Sequence, residues 1–295
     1  MKKLTALVLC AGLSLSLALT ACTPEEPAPV EPNPPVSGTE TPTDPTPVQP
    51  TDPTPAPGTE QPGSGDAQYE QPDESLRLEE KYIVKSYTAD GRTLVSLDLN
   101  YPYASGKGET ADSLREYYDN WADKQQSFAE YDLVPQAQSQ FSGLSDGLFV
   151  PYAISWSFDT TRFDDKVISI LQTGYQQTGG AHPQNLLAAQ NFNAANGGLL
   201  ALSDLFNVEE SAYLEAIRVL VLPIMQQREQ ADNMYYYGGY EGYMMQVFNP
   251  ADFCLTETGL RLFWQTDSIA PHAAGVQVFD LPFQQLGDIL DAKWK

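Results

Sequence analysis

Histidine is almost missing from this chain: 295 residues hold two, His182 and His272. Positive charge is also scarce, with 16 Lys and Arg against 39 Asp and Glu, and there are three cysteines. Each shortage removes a class of function. Neither histidine sits in an H-x-x-x-H or H-E-x-x-H pattern, and one cysteine with two histidines far apart in sequence has no zinc-site spacing. A net charge of −23 argues against nucleic acid, whose phosphates need lysine and arginine. Cys10 lies inside an apolar leader and Cys22 at its end, so Cys254 is left alone and no internal disulfide is expected. Within "ADFCLTE" it reads as a buried, inert thiol.

The amino end reads as a secretion leader. Lys2 and Lys3 precede an apolar run from Leu4 to Leu19, of signal-peptide length and short for a membrane span. It ends in Leu19-Thr20-Ala21-Cys22, which resembles the bacterial lipobox. That resemblance implies a signal peptide over 1–21, cleavage before Cys22 and diacylglycerol on its sulfur. Two acyl chains anchor firmly, since each buried methylene adds about 0.8 kcal/mol. The expected location is the cell membrane, lipid-anchored, on its extracytoplasmic face. The alternative is a plain secreted protein with an incidental cysteine.

Residues 22–75 are expected to be the anchor and a disordered linker. Fifteen of the 23 prolines fall in 23–75, as in "TPTDPTPVQPTDPTPAPGTE", with no apolar periodicity to build a core. As extended polyproline II the stalk reaches up to roughly 160 Å. The remaining residues carry 28 acidic and 14 basic side chains. That surplus is expected to steer cationic partners toward the domain; the other reading is that it only keeps an exported protein soluble.

The rest alternates strand and helix signals. Strands are predicted over 79–88 and 92–101 around Asp90-Gly91, a hairpin turn dipeptide. A helix over 111–129 carries Leu114, Tyr117, Tyr118, Trp121 and Phe128 on one face. Further strands follow over 147–158 and 166–175, turning through Asp159 to Asp165, then one within "NLLAAQNFNAANGGLL". A long helix is predicted to be capped by Asn207, with Glu210 in its first turn and Leu214, Ile217, Val221, Ile224 and Met225 inward. Pro223 should kink or interrupt it. A hairpin through Thr256 to Gly259, a strand in "GVQVFDLP" and a short helix opened by Pro282 complete the chain. Hairpin-linked strands with helices between groups indicate α+β with a mainly antiparallel sheet and packed helices, behind the disordered stalk.

"GYQQTGGAHP", "NFNAANGGLLALSDLF", "FCLTETGLRLFW", "IAPHAAG" and "VFDLPFQQL" follow in order. This series resembles the RsiV-type extracellular domain, the domain of unknown function numbered 3298, over roughly 165–292. A companion domain of the 4163 type is implied for the stretch before it. The domains read as 76–164 and 165–295. In that family the domain occurs in a lysozyme-sensing anti-sigma factor, beside a peptidoglycan deacetylase module, and in many lipoproteins. This sequence has neither a sigma-binding segment nor a deacetylase catalytic domain. The resemblance therefore implies a binding or sensing role at the cell envelope, with a lysozyme-type muramidase or cell-wall glycan as partner.

Two stretches are candidate sites. His182 lies in "GYQQTGGAHPQN", where Gly179 and Gly180 can take positive φ and no serine forms a nucleophile elbow; it reads as a turn. In "NMYYYGGYEGYMMQVF", Tyr235, Tyr236, Tyr237, Tyr240 and Tyr243 alternate with glycines. That mixture suits a binding loop; the other reading is that the rings fold down as core. Asp164-Asp165 and Glu209-Glu210 read as a turn and a helix start rather than glycosidase carboxylates. No cofactor, metal or catalytic residue is expected. The rival reading is a cell-wall glycan-modifying enzyme.

Overall fold

The computed structural model describes residues 75–144 and 148–295. The leader, Cys22 and the stalk lie outside the described residues. Those described fall in one compact unit, Gln68–Lys295.

Two sheets and two helical layers build this unit. The first sheet has the order β1 (Arg77–Ala89), β2 (Arg92–Ser105), β3 (Tyr152–Phe163), β4 (Val167–Gln177), β5 (Gln184–Asn193). Only β2 and β3 run parallel. Their crossover is helical: α1 (Glu109–Ser127), a π-helical turn (Phe128–Leu133) and α2 (Val134–Gly143). The second sheet, β6 (Phe253–Leu255), β7 (Gly259–Trp264), β8 (Gln277–Pro282), is wholly antiparallel. The mainly antiparallel α+β class is as the sequence indicates.

Side-chain alternation fixes the layers. Val95, Leu97, Leu99 and Tyr101 of β2 point one way with Ile154, Ile168, Ile170 and Phe192, toward the crossover helices. Those helices meet them with Ala111, Leu114, Tyr118, Ala122, Ala129 and Ala137, mostly small, so the helix lies close to the sheet. On the opposite face, Leu171 packs with Cys254 and Phe263 of the second sheet. The far face of that sheet, Leu260, Leu262, Trp264, Phe279 and Leu281, packs on Ile217, Val221 and Met225 of α3 (Glu210–Ala231). The layers therefore run helix, sheet, sheet, helix.

Side chains seal the joint between sheets. β6 is an edge strand, and its Leu255 N–H donates to Ser169 Oγ (3.0 Å) and Asn191 Oδ1 (3.1 Å). Asn191 Nδ2 donates to the Phe253 carbonyl (3.0 Å), and Thr161 Oγ1 to that of Leu255 (2.7 Å). Polar residues at buried strand positions thus satisfy main-chain groups that would otherwise be orphaned.

Several local expectations need correction. The first helix does not end at 129: it continues through the π turn into α2, with Pro135, which has no N–H to donate, in the first turn after it. β3 and β4 extend beyond 158 and 175, so the turn between them shrinks to Asp164–Lys166, where Asp164 Oδ1 accepts from the N–H groups of Lys166 and Val167. Residue 164, the sequence-based domain boundary, sits in that hairpin, and the sheet continues across it. Asn207 does not cap α3. Its Nδ2 donates to the Asp288 carbonyl (2.9 Å), and Glu209 takes the cap position with no side-chain bond. Pro223 does not interrupt α3. Pro282 precedes α4 (Phe283–Leu286), a single turn. The Asp90-Gly91 hairpin forms as read, with φ of 50° and 76° and Ala89 paired to Arg92.

Candidate functional site

The tyrosine-glycine stretch divides between core and surface. Tyr236 and Tyr240 are 2% and 3% exposed, with rings 5.1 Å apart inside the cluster that holds α3 to the second sheet. Tyr240 Oη donates to Glu229 (2.8 Å), and burial first, then that carboxylate, pushes its pKa up. These two rings cannot be surface anchors, which corrects the expectation of five. Tyr235 is 64% exposed, while Tyr237 and Tyr243 are half-buried. The Tyr237 N–H donates to the Ile269 carbonyl (3.0 Å), pinning the stretch to the second sheet's loop.

His182 lies exposed in the turn between β4 and β5, where Gly179 takes φ 86° and Gly180 does not turn left-handed. The fold brings the two histidines together, with ring centroids 5.7 Å apart, so separation in sequence was the wrong ground for setting the pair aside. His272 Nδ1 lies 2.8 Å from Asp267 Oδ2 and Nε2 lies 3.0 Å from the Pro183 carbonyl. Both partners only accept, so both nitrogens must donate, and the matched form is the imidazolium. Asp267, then the Pro183 carbonyl, raises the His272 pKa above its ordinary value. Among the described residues no three histidine, cysteine, aspartate or glutamate side chains are grouped to hold a metal ion. Cys254 is fully buried, and burial pushes its thiol up to about 11.

The best-built recess is one that the sequence did not announce. A cleft of about 440 Å³ opens between Tyr117 of α1, the outer edge of β5, the loop 199–203, the first turn of α3 and the residues leading into β6. β5 is an edge strand of its sheet, and more than half of its outward main-chain groups are taken. Thr266 Oγ1 donates to the Asn185 carbonyl (3.1 Å). Leu187 donates to Gln265 Oε1 (3.3 Å) and accepts from Gln265 Nε2 (2.8 Å). Leu200 N–H donates to the Asn191 carbonyl (2.7 Å), and Asn193 N–H to that of Gly198 (2.8 Å). Alternate residues of a strand point the same way, so Ala189 presents its N–H and C=O on this edge too. Among the described residues they meet no partner, and Ala189 lines the cleft.

Beside it, Gln190 is 7% exposed. Its Oε1 accepts from Tyr118 Oη (3.0 Å), while Nε2 has no acceptor among the described residues and the side chain borders the cleft. Tyr117 and Tyr213 form aromatic walls, Leu200 and Phe253 apolar ones, and Glu210 and Ser203 bring polar groups. Asp252, whose carboxyl burial pushes up, accepts from Gln265 Nε2 (3.1 Å) and from Asn249 Nδ2 (3.1 Å), fixing the carboxamide that covers Leu187. The lining contains no histidine or cysteine. Such an arrangement can bind by main-chain and amide hydrogen bonds over aromatic surface. The one sequence signal for it was Gln190, a polar residue at a helix-facing strand position.

Residues 203–284 match the model of a family described as protein of unknown function (DUF3298). No curated protein matches the chain. Among solved structures, a DUF3298 family member from Bacteroides fragilis NCTC 9343 is similar at TM-score 0.56 and 17% identity, covering 74% of this chain and 95% of that one. A DUF3298 family protein from Pseudomonas aeruginosa PAO1 follows at TM-score 0.49 and 14% identity, covering 75% and 95%. The first of these likenesses is one of fold.

Proposed function

We propose that the chain is a noncatalytic binding protein of the bacterial envelope, held by lipid on Cys22 at the outer face of the membrane, with the β5 cleft as its ligand site. The observation that carries this reading is the cleft itself: a recess where an open stretch of main-chain edge and the free amide nitrogen of a largely buried side chain converge. The leader and lipobox support the anchor. The resemblance to RsiV-type domains, the matched DUF3298 segment and the acidic surplus support a second contact, with a basic lysozyme-type muramidase or cell-wall glycan, through Tyr235, Tyr237 and Tyr243. The alternative of a glycan-modifying enzyme needs a carboxylate pair across a sugar-binding groove, and neither Asp164-Asp165 nor Glu209-Glu210 supplies one: Asp164 is tied into its turn and Glu209 opens a helix.

One experiment addresses anchor and binding together. Cys22→Ala should appear in the medium or accumulate unprocessed, and the recovered chain should give heat on titration with solubilised peptidoglycan fragments or a basic muramidase. Muramidase binding should weaken with salt, since screening sets in over about 8–10 Å. Unchanged membrane fractionation of the variant would sink the anchor, and silence with every envelope component would sink the binding role.

A further inference from the structure

We propose that the β5 cleft takes a short peptide, one residue of which pairs in extended form with Ala189 while its cationic amino end lies toward Glu210. This deepens the envelope-binding reading and rests on it. An extended residue presents its own N–H and C=O on one side, the complement of what Ala189 offers. The same strand shows the match being made two residues earlier, where the Gln265 carboxamide gives one acceptor and one donor to Leu187. Leu187 closes the edge on one side and the Asn191 carbonyl is taken on the other, so the opening is confined to Ala189 and the Asn191 N–H and a full added strand does not fit.

Gln190 supplies the second fixed point. Its Nε2, on a side chain only 7% exposed, is a donor with no acceptor among the described residues and borders the cleft. A carbonyl from the neighbouring peptide unit relieves it. Tyr117, Leu200 and Tyr213 receive an apolar side chain, and Glu210 faces a cation. A cleft of about 440 Å³ suits a ligand of this size. An acetamido sugar fits less well, because the N–H and C=O of a trans amide point in opposite directions and cannot meet both groups of Ala189.

The test uses the full chain as its soluble Cys22→Ala variant, labelled with ¹⁵N. It is titrated with a mixture of tripeptide amides bearing free amino ends, with the same mixture N-acetylated, and with a chito-oligosaccharide. Free-amino peptides should slow exchange of the Ala189 amide hydrogen and shift the Gln190 side-chain amide resonance. Gln190→Glu keeps the acceptor for Tyr118 and removes the donor; Ala201→Trp fills the mouth. Each should weaken peptide binding about tenfold or more, Ala201→Trp with an unchanged melting temperature and Gln190→Glu with a lowered one, because it places a carboxylate at a largely buried position, and acetylation should weaken it too. Absence of both spectral changes, wild-type affinity in both variants, or equal binding of acetylated peptides overturns the proposal. If the oligosaccharide alone perturbs those resonances, the peptide is wrong and the binding role survives.

Discussion

Tyr236 and Tyr240 sit one residue from Tyr235 and Gly239, yet differ from them in consequence. Truncating either buried ring to alanine removes core contacts and leaves a cavity, which should cost about 3–5 kcal/mol in denaturant unfolding. Tyr235→Ala, at 64% exposure, should stay within about 0.5 kcal/mol. Equal losses at all three would contradict the division of the stretch. Composition could not make that division: tyrosine suits a core and a binding loop alike, and no period separates five rings spread over nine positions. His272 offers a second residue-scale test. Its folded pKa is raised, so the protonated clamp is complete below the unfolded value near 6.5 and is lost as pH climbs through the raised folded value. The turn that carries Pro183 should therefore exchange its amide hydrogens faster with rising pH, beyond the intrinsic increase. Asp267→Asn should bring the His272 titration down; an unmoved titration would remove Asp267 as the cause.

Among the elements, α3 tolerates a proline in its interior. Pro223 cannot donate to the carbonyl of Val219, but both residues face solvent, with Val219 53% exposed, so water takes the orphaned acceptor. Pro223→Ala should stabilise the protein by up to about 3 kcal/mol, the helix-interior penalty of proline, read from the denaturant midpoint. A loss would mean that the ring packs in a way its exposure denies. Periodicity located nearly every strand and both long helices, because alternation and a 3.6-residue stripe are local properties. The joints were not local. Asn207 looks like a helix cap in sequence but is bonded to Asp288, and Ser169 and Asn191 look like ordinary strand residues but close the edge of β6. The cleft belongs to the same class: Tyr117, Ala189 and Glu210 meet only once both sheets have packed.

At the scale of the molecule, the last turn of the chain is fastened to its middle. Arg162, buried beside Asp164 and over the Phe283 ring, donates from Nη1 to the Trp294 carbonyl (2.6 Å). Trp294 is 5% exposed and donates its indole N–H to the Asp204 carbonyl (2.8 Å), and Lys166 Nζ reaches the Lys295 carbonyl (2.7 Å). The parallel β2–β3 pair likewise waits for its helical crossover before it can form. Such long-range pairing is slow to form, since loop closure precedes any contact that rewards it. A chain emerging amino end first, from a ribosome or an export channel, holds β3 and β4 in the open long before Trp294 arrives to shield Arg162. The buried guanidinium is then a late staple: until Trp294 has emerged, Arg162 lacks the main-chain acceptor that it holds in the folded unit.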